Sequence, residues 1–152
     1  MSEERRPSLT SCPCYRDAKA ALVWLEEAFG FEPSMVILGP DGEVAHSEMR
    51  FGDGLIMVGN EWSENHSSPL RLEGRNTQTI HVQLDEDVDA HCERARRAGA
   101  EIIQPPETQF YGDRTYRARD LEGHIWTFGQ TVQVLSEDEW TKAGGVTVRQ
   151  RL

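Results

Sequence analysis

Apolar positions along the chain follow two spacings, and these alternate in an order that is written twice. Ala18, Ala21, Leu22, Leu25 and Phe29 fall three or four apart, on one face of a helix that Asp17 caps and Gly30 ends. Residues 8–15 ahead of it read as a short strand, interrupted at Pro13 and so suited to an edge or a bulge. Behind it, residues 35–38, 43–51 and 55–59 have strand character, divided by the turn-formers Gly39-Pro-Asp-Gly42 and Gly52-Asp-Gly54. The second half repeats this order. Residues 77–84 alternate at period two. Residues 88–98 put Val88, Cys92, Ala95 and Ala98 on one helical side, with Gly99 as the stop. Residues 100–104 read as a strand broken by Pro105-Pro106, residues 110–114 as turn-rich, and residues 115–119 and 124–129 as a hairpin around Asp120–Gly123. Each half is therefore β-α-β-β-β, which marks a duplicated module.

Residues 2–7 read as a frayed polar end, and residues 60–75 as a long connecting loop. Past Gln130 the pattern changes: Ser136-x-x-Glu139 is a capping box for a short helix that holds Trp140, with Gly144-Gly145 as its stop. The expectation is one α+β domain over residues 1–134, with module one at about 8–59 and module two at about 77–134. The tail, 135–152, packs on that domain or reaches a partner subunit.

Composition narrows the function classes. The chain has 152 residues, 38% apolar and 28% charged, enough for one packed core. Its net charge of −10 argues against a nucleic-acid partner, which selects a basic face. No apolar run approaches the roughly 20 residues that span a bilayer, and the N-terminus lacks the apolar stretch of a signal peptide. Cys12, Cys14 and Cys92 are an odd set and read as reduced thiols, so a cytoplasmic location is expected. Cys12-Pro-Cys14 reads as two thiols on one strand face rather than a redox pair, and Cys92 as core.

Several short motifs recur in a fixed order: Tyr15-Arg-Asp-Ala18, Ala28-Phe-Gly-Phe31, Ala45-His-Ser-Glu-Met-Arg-Phe-Gly-Asp-Gly54, Asp87-Val-Asp-Ala-His91, Ala98-Gly-Ala100, Tyr111-Gly-Asp-Arg114 and Asp120-Leu-Glu-Gly-His-Ile-Trp-Thr-Phe128. Together they resemble the vicinal oxygen chelate superfamily of glyoxalase I, extradiol dioxygenases and bleomycin-resistance proteins, and most of all its uncharacterised bacterial glyoxalase/bleomycin-resistance-like members. Leu121 departs from the proline common there, which loosens the turn. The resemblance implies two tandem βαβββ modules whose curled mixed sheets enclose a concave cavity, helices on the other side, and a homodimer. It also implies a ligand or metal site built from inward-facing strand positions.

Side chains alternate along a strand, so parity assigns faces. Ile80, Val82 and Leu84 should face the helix, leaving Thr79, His81 and Gln83 on the cavity side. Ala45, Met49 and Phe51 should face the helix, leaving His46, Glu48 and Arg50 opposite. Leu55 and Met57 turn inward, as do Thr115, Arg117, Ile125 and Thr127, with Trp126 and Phe128 in the core. The superfamily's four metal positions then fall near Thr10 or Cys12 and on Met57, Thr79 and Thr127. Thioether and hydroxyl suit Zn²⁺ or Fe²⁺ poorly, so no metal is expected. The alternative is a divalent ion on His46, Glu48 and His81. Arg117, beside His81 and Glu48, matches a carboxylate or phosphate, or else pairs with Glu48. Trp62, His66 and Tyr111 stand as candidate rim residues. The preferred reading is a metal-free protein that binds a small polar or aromatic molecule through His46, Glu48, Leu55, Met57, Trp62, Thr79, His81, Tyr111, Arg117 and Thr127. The alternatives are a metal-dependent lyase, isomerase or dioxygenase, and a structural dimer without ligand function.

Overall fold

The computed structural model describes residues 5–152; half of the 2–7 stretch read as frayed, residues 2–4, lies outside these. Module one holds β1 (Cys14–Tyr15), α1 (Ala18–Phe29), β2 (Glu32–Leu38), β3 (Val44–Phe51), β4 (Gly54–Met57) and β5 (Gly59–Asn60). Module two holds β6 (Ile80–Leu84), α2 (Val88–Arg97), β7 (Glu101–Thr108), β8 (Asp113–Arg119) and β9 (Ile125–Thr131), followed by α3 (Glu137–Gly144). A 3-10 turn, Pro69–Leu72, lies in the connecting loop. In module one β2, β3 and β4 are antiparallel neighbours, and β1 runs parallel to β5. Module two has the order β6-β9-β8-β7, with only β6 and β9 parallel.

The duplication reaches single hydrogen bonds. Asp17 Oδ1 accepts from the Ala20 N–H and Asp87 Oδ1 from the Ala90 N–H, both at 3.0 Å. Asn60 Oδ1 accepts from the Ala18 N–H at 3.1 Å, and Gln130 Oε1 from the Val88 N–H at 3.0 Å. Ile56 and Val58 are buried where Trp126 and Phe128 are buried in the second half. In this frame Met57 corresponds to Thr127, Glu48 to Arg117 and Cys12 to His81.

Both modules share one core, with α1 and α2 packed together inside it. Phe29 at the end of α1 lies 4.7 Å from Phe128 and 5.4 Å from Trp126, ring centre to ring centre. Phe31 lies 5.4 Å from Trp126, and Phe51 lies 6.3 Å from His91. Trp24 Nε1 donates to the Ala98 carbonyl at 2.8 Å. Each such aromatic stabilises the fold by about 1.5–3 kcal/mol through burial alone. The core-facing side chains of both sheets meet here, so the opposite parity on each sheet points away from the shared core.

Three expectations are corrected. Residues 8–15 form regular strand only at the end, since Pro13 has no N–H to give. The chain is tied instead through its carbonyls, Ser11 O accepting from Met57 N–H at 2.9 Å and Pro13 O from Gly59 N–H at 3.4 Å. Ala45 is exposed, not helix-facing, because pairing slips between Ile37 and Leu38; this bulge turns Val44 into the core. Pro105 and Pro106 do not break the strand. They sit inside β7, an outer strand whose pairing slips on both sides of Gln104.

His91 links the modules. Its Nε2–H donates to the Phe29 carbonyl at 2.8 Å, and its Nδ1 accepts from the Tyr116 hydroxyl. Burial, aided by Arg94, holds its pKa below the ordinary 6.5. The unfolded chain therefore takes this proton first as pH falls, so stability is full above 6.5 and declines below it. Urea melts of the parent and His91→Gln should show this slope in the parent alone.

Candidate functional site

The turn after β8 is a clasp rather than a ligand site. Asp120 Oδ1 accepts from the backbone N–H groups of Glu122, Gly123 and His124, each at 3.0 Å. Its Oδ2 accepts from Tyr15 Oη at 2.6 Å and Trp126 Nε1 at 3.0 Å. Turn chemistry would have Glu122 bond its own local backbone; instead it accepts from the N–H groups of Arg16 at 2.7 Å and Asp17 at 3.0 Å, and from Ser68 Oγ. His124 Nε2 meets the Cys14 carbonyl at 2.7 Å. These bonds join the start of module one to the last hairpin of module two. Sequence reading saw the turn but missed Tyr15 and Ser68.

On module one, β3 and β4 turn Glu48, Met57 and the half-buried His46 away from the core; Glu48 and Met57 are register partners. Glu48 Oε1 meets His46 Nε2 at 3.1 Å. Arg6, from the stretch read as frayed, grips the same carboxylate: Nη2 donates to Oε1 at 2.7 Å and Nη1 to Oε2 at 3.2 Å. Arg6 and His46 together hold Glu48 down at about 2. The thioether of Met57 lies 3.8 Å from the Cys12 thiol. Leu55 is buried yet stands outside the core cluster, which fits a place on this face.

On module two, register places one residue from each strand in a row: His81 beside Thr127, Thr127 beside Arg117, Arg117 beside Gln104. His81 Nε2 meets Gln83 Oε1 at 3.3 Å, and Gln83 donates to Thr131 Oγ1 at 3.2 Å. A Cβ at Gly129 would lie 3.3 Å from Thr115 Cγ2 and 3.4 Å from His81 Cε1, so both side chains border this position. Arg117 is exposed and makes no side-chain hydrogen bond or ion pair among the described residues. Gln104 Nε2 is buried and has no hydrogen-bond partner among the described residues. Thr79 is exposed just ahead of β6. Ile125 and Thr115 keep the expected parity, although Thr115 is buried beneath Gln109, which donates to it at 3.2 Å.

The expected residues thus divide into two groups. Arg117 does not pair with Glu48, which is satisfied by Arg6 and His46. His81 does not join His46 and Glu48, for no three His, Cys, Asp or Glu side chains gather in metal-holding reach among the described residues. Trp62 is 74% exposed and stacks on His66 at 4.0 Å. Tyr111 lies at the β7–β8 turn, where its carbonyl accepts from Trp140 Nε1 of α3 at 3.1 Å, so it serves the C-terminal helix. A groove of about 630 Å³ runs between Thr10–Cys14 and Thr77–Ile80, with His66 and His124 on its walls.

The sequence profile of the Glyoxalase/Bleomycin resistance protein/Dioxygenase superfamily matches residues 14–128. The chain belongs to this superfamily. It is 31% identical over 143 residues to an uncharacterised protein of Mycobacterium bovis, covering 91% of this chain and 93% of that one. Among solved structures it is similar to TioX from Micromonospora sp. ML1, with TM-score 0.64, 30% identity, and 82% and 98% of the two chains covered. TnmS3, an antibiotic binding protein from Streptomyces sp. CB03234, shares the fold at TM-score 0.63 and 19% identity, covering 86% and 98%. Superfamily membership agrees with the sheet order, the doubled helix caps and the polar strand faces.

Proposed function

We propose that this glyoxalase/bleomycin-resistance-like protein binds a small polar or aromatic molecule without a metal ion, as a homodimer. The observation that carries this reading is the row His81–Thr127–Arg117–Gln104. On one strand face it offers an imidazole, a hydroxyl, and a guanidinium and an amide that have no partner among the described residues. Such a face suits a ligand carrying a carboxylate, phosphate or aromatic ring, because a planar guanidinium can fork onto an oxyanion or stack on a π-face. The donor set does not fit the superfamily's metal. Met57 and Thr127 supply thioether and hydroxyl at the inner strand positions, which suit Zn²⁺ or Fe²⁺ poorly.

Two features favour a homodimer. Both polar faces point away from the shared core, and on module two Arg117 and Thr79 stand exposed in the single chain. Edge strand β2 exposes Met35, Val36, Ile37 and Leu38 at 41–56%, an apolar edge that a second copy would cover. Closing His46, Glu48, Leu55 and Met57 of one protomer over His81, Thr127 and Arg117 of its partner would enclose a ligand. Trp62 would stand as an aromatic plate at the rim, as pockets of this kind use aromatics. The antibiotic binding described for TnmS3 is a role this scaffold has supported, and the same class is the first to screen.

The test is a thermal-shift screen of polar and aromatic small molecules, antibiotics included, on chelator-treated protein, read beside light scattering. Concentration-dependent stabilisation of a dimer is expected. A monomer, or a dimer that no compound stabilises, would count against the reading.

A further inference from the structure

Among the described residues, one ion pair ties the N-terminal arm to the sheet ahead of Ser11. Arg5, Ser8 and Leu9 are exposed, Leu9 at 90%. Ahead of Ser11 the arm makes no backbone hydrogen bond to other described residues; the first is Met57 N–H to Ser11 O. That tie is the two-pronged grip of Arg6 on Glu48. The burial is lopsided, with the Glu48 side chain 5% exposed and Arg6 54% exposed. The carboxylate is thus an anchor covered by a removable strap. Around it stand the His46 imidazole on Oε1, the register partner Met57, and the Cys12 thiol against that thioether.

We propose that Glu48 is the cation-binding anchor of the ligand site and that Arg6 is its built-in occupant, replaced when a ligand bearing a guanidinium or protonated amine enters. The inference rests on the small-molecule-binding reading and adds the ligand's charge class on this face. A carboxylate accepting two parallel N–H donors from a guanidinium already displays the recognition geometry, with this chain's own group standing in for the ligand's. The thioether and thiol beside it give a soft, weakly polar floor for an alkyl stem. The net charge of −10 favours the approach of cations. Displacement is easy, because a half-exposed ion pair favours the closed state only a few-fold. The affinity for an incoming cation falls by the fraction of time the anchor is open.

The probe is agmatine, which carries a guanidinium and an amine. It is titrated into the full chain, following the amides of His46, Glu48 and Met57 by NMR, with acetate as the anionic control. Arg6→Ala removes the occupant from an exposed arm and leaves the sheet intact. It should bind agmatine about two- to sixfold more tightly than the parent, and acetate should move none of these amides. Glu48→Gln, of the same shape, should lose saturable agmatine binding. Equal or weaker binding by Arg6→Ala, undiminished binding by Glu48→Gln, or no saturable binding to either parent or Arg6→Ala would overturn the proposal. A screening ligand whose binding is lost in Arg117→Ala but kept in Glu48→Gln would overturn it too, while leaving the small-molecule-binding reading in place.

Discussion

Asp120→Ala should destabilise the protein by more than about 4 kcal/mol, or prevent it from accumulating folded, without touching either polar face. The carboxylate accepts five hydrogen bonds: three backbone N–H groups of its own turn, the Tyr15 hydroxyl and the Trp126 indole. Alanine leaves these donors without an acceptor in a place where Tyr15 and Trp126 are fully buried. A buried donor left unpaired costs about 1–3 kcal/mol. Asp120→Asn should cost less, because its carbonyl oxygen can still take the three backbone bonds while its amide faces the indole N–H. Adding Trp126→Phe to Asp120→Asn removes that opposed donor, so the double variant should lose less than the sum of the two singles. Urea denaturation of the set reads all of this. A loss below about 1 kcal/mol for Asp120→Ala would show that the turn does not clasp the modules.

Arg117→Ala should weaken binding of a carboxylate- or phosphate-bearing ligand by about 10- to 100-fold and leave the melting temperature of the free protein nearly unchanged. The two halves of this expectation have one cause. Arg117 is exposed and makes no side-chain hydrogen bond or ion pair among the described residues, so its removal costs the fold little. In a complex it would supply a charge-assisted bond in a row already holding His81, Thr127 and Gln104. Arg117→Lys keeps the charge but loses the fork and should fall between. Calorimetric titration with a ligand from the screen measures the effect. Equal affinity in parent and Arg117→Ala would reduce this residue to a solvated strand position.

The parts that sequence made legible are those set by local chemistry. Asp17 and Gly30 bracket α1 because one carboxylate caps a helix and one glycine takes positive φ, whatever surrounds them. Trp126 and Phe128 fix the parity of β9 because large apolar side chains at every second position have only one place to go. Ala45 misled because its small side chain carries no such constraint, and the bulge beneath it comes from pairing with β2. The prolines of β7 misled because proline breaks a central strand but not an outer one, and strand order is not written locally. The polar faces emerged with their members in place, but their grouping did not. Whether Glu48 meets Arg117, His81 or Arg6 depends on how two modules share a core. Arg6 carried no signal of its own, since its partner lies 42 residues away and the stretch around it is plainly polar.

The central claim, ligand binding by these strand faces without a metal ion, meets its most direct test in one calorimetric comparison. A ligand from the screen is titrated into protein stripped by chelator and into the same protein reloaded with Zn²⁺, Mn²⁺ or Fe²⁺, with metal content measured on both. The account predicts binding to the stripped protein with an affinity that reloading changes by no more than about twofold. Stoichiometric metal that His81→Ala abolishes, with binding that appears only on reloading, would contradict it.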